Sequence, residues 1–71
     1  MEHAQREYPP HQQRVITEAE ELLVKIEALS VFITDNPIFK TIEHDEQGRL
    51  LRQLVAMTDY HNILEERIEN F

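Results

Sequence analysis

Apolar residues recur along this chain in two stripes that step by three and four positions. The first stripe is Val15, Ala19, Leu22, Ile26, Leu29 and Ile33; the second is Leu50, Leu54, Met57, His61, Leu64, Ile68 and Phe71. That spacing lays each stripe along one face of a helix, the pattern of two helices packed face to face. The pattern predicts an all-α fold: an antiparallel two-helix hairpin with a short helical turn in the connection, assembling as a helical oligomer.

The stops between the stripes agree. Pro9-Pro10 opens the first helix, because a proline in the first turn lacks only an N–H that has no partner there. The helix is expected over about residues 10 to 33 or 34, a stretch with no other proline and no glycine. Asp35-Asn36-Pro37 ends it, since the residue before proline avoids the helical region. Asn36 then caps a new turn with Pro37 in its first position, and Phe39 is expected to fold back over the closed end. The second helix is expected to open at His44-Asp45-Glu46, with Asp45 as N-cap, and to run to about residue 70. Short connections make neighbouring helices antiparallel. The register then pairs Ile33 with Leu50, Leu29 with Leu54, Ile26 with Met57, Leu22 with His61, Ala19 with Leu64 and Val15 with Ile68. Residues 1–8 read as a flexible N-terminal arm and residues 9–71 as the helical-hairpin domain.

The first helix has apolar residues that a hairpin does not use. Ile16 and Leu23 flank the main stripe, and Val24 and Val31 lie almost opposite it at about 100° per residue. A helix apolar on two sides is normally buried on two sides. Ile16, Leu23, Val24 and Val31 are therefore the expected interface of a homo-oligomer. The competing reading is a scatter of exposed valines, which surfaces tolerate.

Size and charge narrow the function. A hairpin of 71 residues without a cysteine has neither a disulfide nor a thiolate metal site to stabilise it, which leaves association as the common remaining route. Seven Lys and Arg stand against 14 Asp and Glu, for a net charge of −7. Such a surface disfavours direct binding to DNA, RNA or an anionic membrane. It suits solubility, a basic partner, or imitation of nucleic acid. The polar N-terminus carries no apolar signal region, and no apolar run approaches the roughly 20 residues of a membrane span.

Candidate chemistry is sparse. His61 sits mid-stripe; Glu65, one turn on, is placed to accept its N–H. A di-iron bundle wants a carboxylate three residues before the histidine, where this chain has Thr58, and His3, His11 and His44 lie in the arm or at caps. A packed histidine is expected, with no metal and no cofactor. The lone serine, Ser30, has no histidine expected nearby, and the one glycine makes no phosphate loop. The chain reads as a non-enzyme. The remaining constellation is positional: Tyr8, His11 and Arg14 start the first helix, and the register brings Arg67 to that end. With the helix's N–H groups, the set suits an anion, such as a nucleotide whose base stacks on Tyr8. Lys25, bordering the stripe, is a further cation whose stem can be buried with its amine free. The plainer reading pairs Arg14 with Glu18, Lys25 with Glu21, and Arg67 with the dipole of its own helix end.

The run Gln12-Gln13-Arg14-Val15, then Glu18, Leu22, Lys25, Leu29 and Phe32-Ile33, resembles the first half of a family of small uncharacterised phage and prophage helical proteins, grouped with a crAss-like-phage hypothetical protein. Phe39, Glu46, Arg49-Leu50, Gln53, Met57, Tyr60, Leu64, Arg67-Ile68 and Phe71 resemble the second half. The resemblance spans residues 9–71 and implies a phage-encoded accessory protein working in the host bacterial cytoplasm. It brings no catalytic residues. A looser analogy, in size and form only, links the chain to phage proteins that oligomerise and sequester cyclic nucleotide signals of bacterial immunity. The expected function is accordingly non-enzymatic anti-defence by sequestering such a nucleotide. The alternatives are an acidic inhibitor or nucleic-acid mimic, its faces Glu18–Glu21 and Glu65–Glu69 set against a host defence protein, and a structural or regulatory partner of another phage protein.

Overall fold

Two helices of 26 residues each account for most of the chain in a computed structural model that describes residues 7–71. Helix α1 spans Pro10–Asp35, a 3-10 turn spans Pro37–Thr41, and α2 spans His44–Glu69. The described residues contain no strand. The six residues before Glu7, most of the expected arm, lie outside the described residues.

Local chemistry sets each boundary. Asn36, held extended by the following proline, ends α1 while its N–H still donates to the Phe32 carbonyl at 3.3 Å. Its side-chain Oδ1 accepts from the Ile38 N–H at 2.9 Å, so Asn36 caps the 3-10 turn as expected. Phe39 returns onto Phe32, their rings edge to face with centroids 6.1 Å apart. Gln47, in the first turns of α2, donates from Nε2 to the Phe39 and Ile42 carbonyls, both at 2.9 Å. One half-buried amide thus ties the turn to the helix that follows it.

The N-cap of α2 differs from expectation. Glu43 holds that position with extended backbone and no side-chain cap, and its carbonyl accepts from the Gln47 N–H at 2.9 Å. Asp45 lies inside the first turn beside Glu46. There both carboxylates face the positive end of the helix dipole, which stabilises them without a cap hydrogen bond. Both helices also run slightly past or short of the expected ends, α1 to Asp35 and α2 to Glu69.

The helices pack as a hairpin. Val15, Ala19 and Leu22 of α1 form one buried cluster with Leu64 of α2, and Ile26, Met57 and Ile68 pack against it while partly exposed. Leu64 is the one fully buried large side chain among the described residues. The core therefore sits toward the open end, where Tyr8 meets Phe71 with ring centroids 6.0 Å apart. The molecule is a rod of 46 × 20 × 16 Å. Its radius of gyration, 15.7 Å, exceeds the roughly 11 Å of a compact domain of this length. Its surface, 5698 Å², likewise exceeds the roughly 4700 Å² of a compact monomer of this mass. A hairpin on its own leaves apolar surface in water.

Candidate functional site

The open end of the hairpin carries Tyr8, His11, Arg14 and Arg67 of the residues singled out from the sequence, and not Lys25. Tyr8 precedes Pro9, and Pro9, at φ −59° and ψ 156°, leads into α1. Pro9 biases the Tyr8 backbone toward extended conformations, as Pro10 does that of Pro9. Tyr8 is half-buried and packs at an interplanar angle of 62° on Phe71, which follows the end of α2. His11 is exposed in the first turn of α1, Arg14 is exposed one turn on, and Arg67 is exposed in the last turn of α2. The hairpin thus carries α1's start and α2's end to one place, with Tyr8 and Phe71 in contact there.

The helix terminus contributes less than expected. Pro9 and Pro10 have no N–H, and the amides of Gln12 and Gln13 both donate to the Pro9 carbonyl at 2.9 Å. His11 is left as the sole amide of that first turn without a carbonyl partner among the described residues. Any anion held here depends on side chains rather than on the helix end.

Arg14, Lys25 and Arg67 are not spent on local pairing among the described residues. Among the described residues the ion pairs are those of Arg49 with Glu46 at 2.7 Å and with Glu43 at 3.9 Å, while His61 Nε2 lies 3.7 Å from Glu65 Oε2. Arg14 does not reach Glu18, Lys25 does not reach Glu21, and Arg67 makes no ion pair with a described carboxylate. Lys25 is exposed in mid-α1, about three turns from Arg14. His61 is largely covered, and its 3.7 Å separation from Glu65 is too long for a hydrogen bond. Among the described residues no group of three or more His, Asp or Glu is arranged to hold a metal.

The second apolar face of α1 is exposed in the hairpin. Val24 is 66% and Val31 56% exposed, Leu23 is 41% exposed, and Ile16 is half-buried. Helix α2 adds Leu51, Val55 and Ile63, all exposed, which the sequence reading passed over. They do not fall on one stripe: at 100° per residue they spread over about a third of the helix circumference. The available signal was apolar identity off the main stripe, the same signal that picked out Val24 and Val31. A shallow open groove lined by His44, Asp45, Gly48, Arg49, Leu51 and Arg52 lies at the start of α2, away from the expected site.

Two packed helices with apolar surface on both, and aromatic and cationic side chains at one end, define a small all-helical hairpin. The chain belongs to the Sequestin family, whose model matches residues 9–70. It is 41% identical over 61 residues to a protein of Enterobacteria phage T4 described as an uncharacterized 7.5 kDa protein in the denB-rIIB intergenic region, covering 86% of this chain and 94% of the T4 protein. No solved structure matches the chain. The match to a phage protein agrees with the resemblance to small phage proteins. No helix among the described residues is long and apolar enough to cross a membrane.

Proposed function

We propose that this protein is a non-enzymatic anti-defence protein, acting in the host bacterial cytoplasm, that assembles as an oligomer of antiparallel hairpins and sequesters a cyclic nucleotide immune signal. The observation that carries the reading is the state of Arg14 and Arg67. In a chain of net charge −7, both remain exposed and without an ion pair among the described residues. Such arginines suit bidentate capture of phosphate, which a carboxylate neighbour would otherwise occupy. Tyr8 at the same end offers a ring on which a base stacks. The family's name, Sequestin, points the same way.

Assembly completes the site in this reading. Val24, Val31, Leu23 and Ile16 pair α1 with other copies, and a second copy closes over the Tyr8 end to form a composite pocket. Lys25, about three turns along α1 from Arg14, adds positive charge only where the longer part of a ligand or a second copy reaches it. The test is calorimetry with cyclic di-AMP, cyclic di-GMP and a cyclic trinucleotide. At least one releases heat with the native chain, and Arg14→Ala abolishes it. Absence of both heat and thermal shift across that set refutes the reading.

The acidic faces favour a second reading. Glu18, Glu20, Glu21, Glu66 and Glu69 are exposed and make no ion pair among the described residues. They suit a basic surface of a host defence protein, one that normally holds nucleic acid. This reading predicts salt-sensitive co-purification with such a protein from the natural host, and no response to nucleotides.

A further inference from the structure

We propose that the outer face of α1 docks on the outer face of α2 in the next copy of this chain, head to tail, with Arg52 seated between Glu27 and Asp35 of its neighbour. The proposal rests on the assembly in the functional reading above. It names the surface that α1 meets, which that reading leaves open.

Both helices turn apolar residues away from the hairpin core. Val24 stands about 180° around α1 from the buried Val15, and Val31 about 180° from the buried Leu22. On α2, Val55 stands about 180° from the buried Leu64, with Leu51 and Ile63 to either side. A symmetric pairing of α1 with α1 covers one face per chain and leaves Leu51, Val55 and Ile63 in water. Pairing α1 with α2 of the next copy covers both faces of every chain.

Charge also separates the two arrangements. Glu20, Glu27 and Asp35, which flank Val24 and Val31, are exposed and make no ion pair among the described residues. Lys25 lies about 100° to one side of Val24. Two α1 faces set together therefore oppose acid to acid. The outer side of α2 differs. Leu51 and Arg52 stand about 140° and 120° from Leu64, so the groove they line opens away from α1. Arg52 is exposed and, unlike Arg49, makes no ion pair among the described residues.

The register that unites Ala19 with Leu64 in the core fixes levels along the rod. It sets Arg52 level with Val31, Val55 with Ala28 and Ile63 with Glu20. Copies standing side by side in one orientation keep those levels, with α2 of one antiparallel to α1 of the next. Arg52 then lies between Glu27 and Asp35, each one turn from Val31, about 6 Å along the axis and within reach of a guanidinium. Val31 seats beside Leu51, and Val24 between the levels of Val55 and Ile63. Asp59 stands level with Val24 and Glu66 with Thr17, so neither directly opposes Glu20 or Glu27. Turned end for end, the same face brings Arg52 to the level of Arg14, a like charge. Each copy offers one face and receives on the other, so the contact propagates into a ring or an open row. It also sets the start of α1 in one copy beside the end of α2 in the next, which carries Arg14 of one and Arg67 of its neighbour to a shared edge.

The experiment uses two full-chain variants, Arg52→Glu and the double change Glu27→Lys with Asp35→Lys. Light scattering and sedimentation read the mass of each alone and of the two mixed in equal amounts, at one salt concentration. The native chain is expected to form an assembly of more than two copies. Each variant alone associates at least about tenfold more weakly, because like charges then meet at the level of Val31. The mixture regains the native mass, since alternating copies oppose acid to base at every contact. Circular dichroism is the same for all. An Arg52→Glu chain that assembles as the native chain does, a native chain that stops at a dimer, or two weakened variants that fail to recover on mixing overturns the head-to-tail contact and leaves the assembly reading standing. A native chain that stays monomeric at micromolar concentration overturns the assembly reading, and the contact with it.

Discussion

Replacing Leu64 with alanine tests the packing on which every other inference depends. Leu64 is fully buried, the only large side chain in that state among the described residues. The change removes three carbon atoms, worth about 2.4 kcal/mol of transfer free energy at ~0.8 kcal/mol per carbon. A cavity term adds to this. Its partners are Val15, Ala19 and Leu22. The Ala19 methyl cannot swing inward, and Val15 is stiff, so the gap closes poorly. The open flanks of a two-helix rod admit water, which keeps the cost toward the lower end of the leucine-to-alanine range, about 3 kcal/mol. A domain of this length has roughly 4–10 kcal/mol in total, so the loss is a large share of it. Urea unfolding followed by far-ultraviolet circular dichroism reads the change as a lower midpoint at unchanged slope, with protein concentration held constant. Val55→Ala is the control: Val55 is 62% exposed, and the expected effect in the isolated hairpin is under about 0.5 kcal/mol. A loss of less than about 1 kcal/mol for Leu64→Ala, or one no larger than that of Val55→Ala, refutes the packing of the helices through this residue.

Val24→Asp combined with Val31→Asp places two charges on the exposed face of α1; light scattering is expected to show a fall in mass to that of one chain while the helical signal is kept, and a native chain that is already monomeric at micromolar concentration contradicts the assembly reading. Gly48→Ala is expected to stabilise by about 0.5–1 kcal/mol, since Gly48 lies within α2 and a Cβ there meets nothing within 4 Å. Thermal unfolding then shifts upward by a few degrees, at about 4–8 °C per kcal/mol for a domain of this size.

The long-range order of the fold was legible because helix period and chain reversal are both local signals. Val15, Ala19, Leu22 and Leu64 lie on the stripes and form the core, and Asn36-Pro37 both ends one element and caps the next. The helix opens at His44 as expected, but its cap was misplaced because Asp45 satisfies two different rules. A cap hydrogen bond and a favourable place near the dipole select the same residue type, and only the backbone at Glu43 decides between them. At the candidate site, the meeting of the two helix ends follows from the register, but its chemistry does not. Whether Arg14 uses Glu18 depends on rotamers that spacing leaves free. The loss of the first-turn amides arises because the two prolines that mark the helix start also lack the donors such a site would need. The Tyr8–Phe71 contact depends on how both ends leave the helices, which no periodicity encodes.

The connection between the helices, residues 36–43, also governs timing. These few residues turn the chain back so that each helix meets the other as soon as both form; the remaining contacts lie within the helices, between residues close in sequence, and helical folds of this kind fold in microseconds to milliseconds. Encounter between separate copies is a second-order event, and its rate falls with every dilution. Each hairpin is therefore ready long before it meets another at low expression. For the assembly proposed above, the accumulated amount of protein, rather than the folding of any one chain, would set the moment at which an assembled form exists, and a small rise in synthesis would bring that moment forward disproportionately.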